Sequence, residues 1–157
     1  MSISWSPPRE GWFKHNTDGA SKRILGKVAA GGLIRDHLGH WVMGFCKNIG
    51  VTSSVASEIW ALRDGIKLAL DKNLSNLEIE TYAILLEQLI ASGTMDSHQL
   101  NTSPTINHIY GEANTCADLL ANIWATVENF QIFVNPPLPI CTQLFDDTRD
   151  VCYPKLM

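Results

Sequence analysis

The sequence predicts an α/β protein with one mixed sheet and helices on its faces, and two observations carry this prediction. Three strand-like runs follow one another with short connections in the first third of the chain, which indicates an antiparallel meander. Helix-like and strand-like runs then alternate, which is typical of parallel strands joined by crossover helices. The predicted order is β-β-β-α-β-α-β-α, a five-stranded mixed sheet in a single domain of 157 residues.

The three leading strands are predicted from alternation and from apolar content. Residues 12–18 alternate large and polar side chains, as a half-buried strand does. Residues 27–36 contain Gly31 and Gly32, which indicate a bulge or the close approach of another backbone. Residues 40–49 are rich in Trp, Val, Met and Phe.

The first helix is the clearest element, because apolar residues recur at three- and four-residue steps after a serine that can cap it. Later elements are a fourth strand at 77–81, a second helix at 83–92, a fifth strand at 105–110 and a third helix capped by Asn114. The predicted core covers about residues 11–130. The Pro-rich tail, 131–157, shows no clear element from Pro136 onward.

Charge is distributed unevenly along the chain. The net charge of −4 argues mildly against a nucleic-acid partner, but residues 1–72 hold ten basic and six acidic side chains, a balance of +4. A polyanion is therefore expected to meet the first half. The cations concerned are Lys14, Lys22, Arg23, Lys27, Arg35 and Lys47. The alternative, that these side chains are only a solvated strand face, is equally compatible with the sequence.

Other features bear on location and redox state. The N-terminus lacks the basic start and apolar run of a signal peptide, and no stretch approaches the roughly 18 apolar residues of a membrane span. The four cysteines show no CxxC spacing, which favours reduced thiols over a disulfide framework or a zinc site. We expect a monomer with no membrane contact, in the nucleus or the cytoplasm.

Three acidic residues are candidates for chemistry. Asp18 and Gly19 follow the first strand, where they form either a hairpin turn or a carboxylate presented at a sheet edge. Glu58 lies one position off the apolar stripe of the first helix, where a solvent-facing glutamate is the ordinary alternative. Asp118 lies in or just after the first turn of the third helix.

Four segments together resemble a known family: residues 16–20 (NTDGA), 31–36 (GGLIRD), 57–65 (SEIWALRDG) and 112–121 (EANTCADLLA). They are similar to the ribonuclease H fold, and more narrowly to the ribonuclease H-like domains that abound in plant genomes and are related to the tails of retroelement reverse transcriptases. The resemblance covers essentially the whole chain.

The resemblance implies hydrolysis of the RNA strand of an RNA–DNA hybrid by two Mg²⁺ ions held on carboxylates. It makes Asp18 the ligand that bridges both ions, with Glu58 serving one ion and Asp118 the other. It also implies that an RNA–DNA hybrid or another nucleic acid is the partner. The residues expected to bind it are Asn16, Gly19, Ala20, Lys22, Arg23 and Asn114.

The sequence departs from the family pattern at two places. Tyr82 stands where the family has a further acidic ligand, and a neutral phenol is a poor magnesium ligand. Glu80 points to the same strand face but is about 6.8 Å away along the strand, so it is a poor substitute and the second ion is doubtful. One crossover helix of the family is also missing, which predicts an exposed apolar patch at Leu86, Leu89 and Ile90.

Three interpretations therefore remain open from the sequence. The domain is a weak hybrid ribonuclease, or a non-catalytic module that binds nucleic acid, or a retroelement-derived remnant without a selected function.

Overall fold

The computed structural model describes residues 2–21, 27–74, 76–82, 105–123, 130–149 and 153–154. Its strands are β1 (Ser2–Ile3), β2 (Phe13–Ser21), β3 (Lys27–Arg35), β4 (Trp41–Val51), β5 (Leu77–Thr81), β6 (Thr105–His108), β7 (Phe130–Phe133) and β8 (Tyr153–Pro154). Its α-helices are α1 (Ser54–Asp71), α2 (Thr115–Asn122) and α3 (Leu138–Thr148), with a 3₁₀ turn at Gly111–Ala113 before α2.

Several predictions concern residues outside the described ranges. These are the second helix at 83–92, the loss of a crossover helix, the apolar patch of Leu86, Leu89 and Ile90, and the contacts of Lys22 and Arg23.

The main sheet is mixed, and it confirms the predicted α/β class. Its order is β6-β5-β2-β3-β4-β7, with β2, β5 and β6 parallel and the remaining neighbours antiparallel. The predicted count of five strands is wrong, because β7 adds a sixth strand by pairing with β4 from Gly44 to Lys47. The strand is short and mostly exposed, so the sequence around it carries little alternation. A separate two-stranded sheet joins β1 to β8.

Apolar side chains pack on both faces of this sheet. On β3 the neighbouring residues Ile34 and Leu33 enter different clusters, as alternation along a strand requires. Ile34 packs with Leu62 and other residues of α1, and Leu33 packs with Leu120 of α2. Each face is therefore covered by its own helix.

The C-terminal tail contains α3, so the absence of an element from Pro136 onward is a wrong prediction. Three prolines there suggest a break, but Pro139 occupies the first turn of α3, where proline costs the helix no hydrogen bond. Ile140 of α3 is fully buried in the cluster that contains Leu33. Residues beyond 130 thus contribute to the packed interior.

Two tight contacts explain why the helices lie so close to the sheet. A Cβ atom on Gly31 would collide with the backbone of Ala121 in α2, so the predicted close approach is real. On the other face, the ring of His15 fills the space beside Gly65 of α1. Burial lowers the pKa of His15 to about 3, so this ring stays neutral.

No helix in the described part of the chain is both long enough and apolar enough to cross a membrane.

Candidate active site

The parallel strands end together at one edge of the sheet, and this edge carries the candidate site. The pairing of β2 with β5 stops at Thr17 and Thr81, and the pairing of β5 with β6 stops at Thr81 and His108. The next residues along the chain are Asp18 and Tyr82, which therefore become neighbours. The carboxyl ends of parallel strands are a common place for functional groups in α/β folds.

Asp18 and Gly19 do not form a hairpin turn. Strand β2 continues through them, and Asp18 pairs with Gly31 of β3 in the antiparallel register. Of the two interpretations left open by the sequence, the turn is wrong. The carboxylate lies within a strand, one residue beyond the point where β5 stops pairing with it.

Glu58 reaches the site because the start of α1 rests against β2. Ser53 caps this helix by accepting a hydrogen bond from the Ala56 amide at 3.2 Å. A Cβ atom on Gly19 would collide with the Ser57 hydroxyl and come within 2.9 Å of the Glu58 amide nitrogen. Gly19 is thus required for the close approach that brings Glu58 toward Asp18.

Asp118 reaches the site because Asn114 ties the start of α2 to β2. The Asn114 side-chain amide donates a 3.0 Å hydrogen bond to the Thr17 carbonyl. Its side-chain oxygen accepts one of 3.2 Å from Asn16 Nδ2. These two bonds hold the helix beside the residue that precedes Asp18.

The structure brings all three predicted carboxyl groups into one cleft of about 440 Å³. The cleft is lined by Asp18, Gly19, Glu58, Tyr82, Gly111, Asn114 and Asp118. The three residues lie 40 and 60 places apart in sequence, and the resemblance to the family predicted that they would meet. Tyr82 borders the same cleft.

The carboxyl groups in the cleft crowd one another. Burial, together with the charges of Glu58 and Asp118, raises the pKa of Asp18 to about 9. Burial raises the pKa of Glu58 to about 7, although hydrogen bonds from the Gly19 amide and the Asp18 side chain oppose the shift. At neutral pH the cluster therefore retains protons that ordinary carboxyl groups would have lost.

The cleft offers oxygen atoms of the kind that a hard divalent cation binds. Carboxylate oxygens are the ligands that Mg²⁺ prefers, and the buried Oε2 atom of Glu58 has no hydrogen-bond partner. In the described residues, however, no three His, Cys, Asp or Glu side chains form a ready-made metal site. Asp18 instead shares hydrogen bonds with Asp118 and Glu58. A cation would have to displace the protons of this cluster.

Glu80 is committed elsewhere and does not line the cleft. Its Oε1 atom accepts a 3.0 Å hydrogen bond from Asn16, and its Oε2 atom lies 3.2 Å from the Lys14 ammonium group. If Glu80 were to bind a metal ion in the cleft, it would have to give up its contacts with Asn16 and Lys14.

The residues predicted to bind nucleic acid fall into different environments. Asn16 is fully buried and Asn114 nearly so, so Asn16 supports the site from beneath and offers no surface contact. Gly19 lines the cleft, and Ala20 lies in β2 opposite Ala29. Two of the cations expected to meet a polyanion, Lys14 and Arg35, are buried and paired with acidic residues of the chain. That part of the charge prediction is wrong.

A buried polar cluster next to the site was missed by the sequence analysis. Arg35 donates to Asp147 of α3 at 2.7 Å and to Asn16 at 3.1 Å. Its guanidinium group stacks 3.7 Å from the ring centroid of Trp5, whose indole N–H also donates to Asn16 at 2.9 Å. The one signal in the sequence is that Arg35 falls at the end of an otherwise apolar strand.

Comparison with known proteins agrees with this architecture. The family described as "Reverse transcriptase-like" matches residues 16–103. An Arabidopsis thaliana protein named "Putative ribonuclease H protein" is 34% identical over 98% of this chain, which spans only 27% of that protein.

Solved structures give the same fold. Ribonuclease H1 of the archaeon Halobacterium salinarum superposes with a TM-score of 0.61 at 23% identity, covering 73% of this chain and 97% of that one. The LC11 ribonuclease H1 superposes with a TM-score of 0.60 at 22% identity, covering 71% and 94%.

A mixed sheet in this order, with helices on both faces, is the fold of a ribonuclease H-like domain. The chain belongs to the reverse transcriptase-like family, since that family matches more than half of its length.

Proposed function

We propose that this domain is a divalent-metal-dependent hydrolase of RNA paired with DNA, and that its catalysis is impaired. The observation that carries the proposal is the meeting of Asp18, Glu58 and Asp118 in one cleft, where burial raises the pKa of Asp18 and of Glu58 and the neighbouring charges add to the shift of Asp18. Perturbed carboxyl groups in a cleft are typical of sites built for a task other than stability.

The roles of the individual residues follow from their positions. Asp18, Glu58 and Asp118 would hold the ion, and Asn114 and Gly19 keep the two helices against the strand that carries Asp18. A divalent cation bound there would neutralise the charge of a phosphodiester and lower the pKa of an attacking water. The LC11 ribonuclease H1 was crystallised with an RNA/DNA hybrid, which recommends this substrate for the test.

Tyr82 is the proposed reason for impairment. It lines the cleft at the position where the resemblance implies a fourth carboxylate, and Glu80 is held away by Asn16 and Lys14. The loss of one charged ligand plausibly costs several kcal/mol of metal binding or transition-state stabilisation, and about 1.4 kcal/mol corresponds to tenfold in rate. We expect cleavage about a thousandfold or more slower than that of a four-carboxylate relative.

The test is cleavage of an end-labelled RNA–DNA hybrid in Mg²⁺ and in Mn²⁺. Tyr82→Asp is expected to raise the rate by at least about tenfold over the unmodified protein. Tyr82→Asn is the matched control, because it removes the same ring without adding a charge, and it should give no comparable gain. Asp18→Asn should abolish whatever cleavage exists.

The outcomes separate the possibilities. Cleavage by the unmodified protein at the rate of a four-carboxylate relative would overturn the impairment. No metal-dependent cleavage by either the unmodified protein or Tyr82→Asp would overturn the hydrolase proposal. Equal gains in Tyr82→Asp and Tyr82→Asn would mean that the ring obstructs the site and that the missing charge matters little.

The second candidate is a module that binds nucleic acid without cutting it. The observation that favours it is the exposed ring of Tyr82, which is 55% exposed beside the cleft. Hybrid binding without cleavage, in the presence of either metal, would support this candidate.

A further inference from the structure

Aromatic side chains stand in contact along the rim of the cleft. The ring of Tyr82 lies 6.0 Å from that of His108, measured between centroids and tilted by 35°. The ring of His108 in turn lies 5.5 Å from that of Tyr110, with the two planes nearly perpendicular. The three residues lie where β5 and β6 end, which is the same edge that presents Asp18.

Packing alone does not account for this group. A tyrosine ring that contributes to a core is normally covered, whereas more than half of the Tyr82 side chain is exposed to solvent. Its partner His108 is half-buried, so the imidazole supports the phenol ring from one side. We call Tyr82 and His108 the aromatic rim.

We propose that the aromatic rim is a stacking site for one unpaired nucleobase of a nucleic acid strand that lies next to the cleft. The identity of the ligand rests on the proposed function, which makes nucleic acid the partner. The geometry supplies the rest, since stacking requires an accessible ring held at a fixed position. Every base has an aromatic face, so such a site tolerates any sequence.

Stacking suits this location better than a phosphate contact does. The cleft beside Tyr82 is lined by three carboxyl side chains, and within the described part of the chain none of its lining residues is a lysine or an arginine. In the absence of a metal ion, the acidic groups here would repel a phosphate, whereas they would not repel a neutral base. Tyr82 stands where the resemblance to the family implies an acidic metal ligand. The same position thus lacks a ligand and offers a ring on which a base can stack.

The experiment measures binding without metal. Fluorescein-labelled single-stranded RNA, single-stranded DNA and a blunt hybrid of the same sequence are titrated in EDTA. Tyr82→Ala is expected to weaken binding of the single strands by about 5- to 150-fold, the range found for loss of one base–aromatic stack. Tyr82→Phe should bind like the unmodified protein, and His108→Ala should lose a smaller part of the affinity.

Salt dependence and a control ring make the test specific. Loss of stacking should lower the affinity at every salt concentration and leave the slope of log K against log salt unchanged, because no phosphate contact is lost. Phe145→Ala removes another exposed ring, on α3, that does not line the cleft, and it should leave binding unchanged. Circular dichroism and thermal melting check that each variant folds.

Several results would overturn the stacking site. They are equal single-strand binding by Tyr82→Ala and the unmodified protein, an equal loss in Tyr82→Phe, a changed salt slope, or no single-strand binding at all. Equal losses for the blunt hybrid would also contradict it, because paired bases are not available to stack. A preference for RNA or DNA identifies the source of the base.

The outcome is distinguishable from that of the hydrolase proposal. Binding is measured without metal, and cleavage is measured with it. If neither the unmodified protein nor Tyr82→Asp cleaves the hybrid while Tyr82→Ala loses single-strand binding, the stacking site stands and the hydrolase fails. If the hybrid is cleaved with metal while Tyr82→Ala binds single strands as the unmodified protein does, the hydrolase stands and the stacking site fails.

Discussion

Two clusters of charged side chains lie on the same sheet, and they are built in opposite ways. Around Arg35, a buried cation faces a buried anion, Asp147, and the surrounding polar atoms of Asn16 and Trp5 are hydrogen-bonded as well. In the cleft, Asp18 meets Glu58 and Asp118, which carry the same charge when ionised. The charges of the Arg35 cluster are paired, although Arg35 Nε has no hydrogen-bond partner, whereas the charges of the three carboxyl groups are relieved only by protons or by an added cation.

The two clusters are also connected. Asn16 accepts hydrogen bonds from Arg35 and donates to the side chain of Asn114, which holds α2 beside Asp18. We call Arg35 and Asp147 the compensated cluster, and Asp18, Glu58 and Asp118 the uncompensated cluster. The compensated cluster therefore supports the position of the uncompensated one. The difference is that Arg35 has an opposite charge beside it, while the carboxyl groups of the cleft have none among the residues that line it in the described part of the chain.

The largest expected effect comes from breaking the compensated cluster. Either Arg35→Met or Asp147→Leu leaves one buried charge without its partner, and we expect each to lower the free energy of unfolding by about 3–5 kcal/mol. Both residues are at most 4% exposed, so little solvent screening softens the loss. Urea denaturation measures the effect.

The matched control is the double variant Arg35→Met with Asp147→Leu. Replacing a buried ion pair by apolar residues is often neutral, so this variant should recover most of the stability. Single variants that lose less than about 1 kcal/mol would show that the pair is not a stabilising partnership.

A smaller effect of opposite sign is expected in the cleft. The pKa of Asp18 is raised from 3.8 to about 9, so between these values the folded state keeps a proton that the unfolded state has lost. This contribution to stability is fully present below about pH 4 and is lost as pH rises toward 9. In EDTA, Asp18→Asn should therefore be more stable than the unmodified protein at pH 8, by at least about 2 kcal/mol, and much less so at pH 5.

Glu10→Gln removes an exposed carboxylate outside the cleft, and its stability should change little at either pH. If Asp18→Asn proves destabilising at pH 8, then the crowding of the carboxyl groups does not cost the folded protein free energy.

The sequence predicted the cleft better than the compensated cluster, and the reason is physical. Asp18, Glu58 and Asp118 each lie in a local motif of a known family, so their meeting could be expected without coordinates. Arg35 lies in such a motif too, but its partner Asp147 is 112 residues away. Asp147 belongs to a helix that was not predicted, because prolines precede it and occupy its first turn. The position of Arg35 at the end of an apolar run is the one local signal of burial, and it does not indicate which residue pairs with the charge.

The same limit applies to Asn16 and to β7. Asn16 was predicted to contact nucleic acid from the resemblance to the family, but its side chain faces a buried network. Strand β7 owes its existence to the open edge of β4, which is a tertiary fact and not a property of its four residues. Alternation predicted β2 and β5 correctly, and apolar content predicted β4, because these inner strands carry side chains that pack in the core.

The smallest expected effect sharpens the comparison by completing the cleft with a cation. An ion that binds only the folded state stabilises it by about 1 kcal/mol at about five times its dissociation constant. Thermal melting in Mg²⁺ or Mn²⁺ should therefore show a rise in melting temperature that grows from pH 6 to pH 8, because the ion competes with the protons on Asp18 and Glu58.

Asp18→Asn should abolish the rise, and the double variant at Arg35 and Asp147 should retain it. Tyr82→Asp should enlarge it by supplying another oxygen ligand. If neither ion shifts the melting temperature of the unmodified protein or of Tyr82→Asp, the carboxyl groups hold no metal. The contrast between the two clusters would then reduce to one buried pair and one group of shared protons.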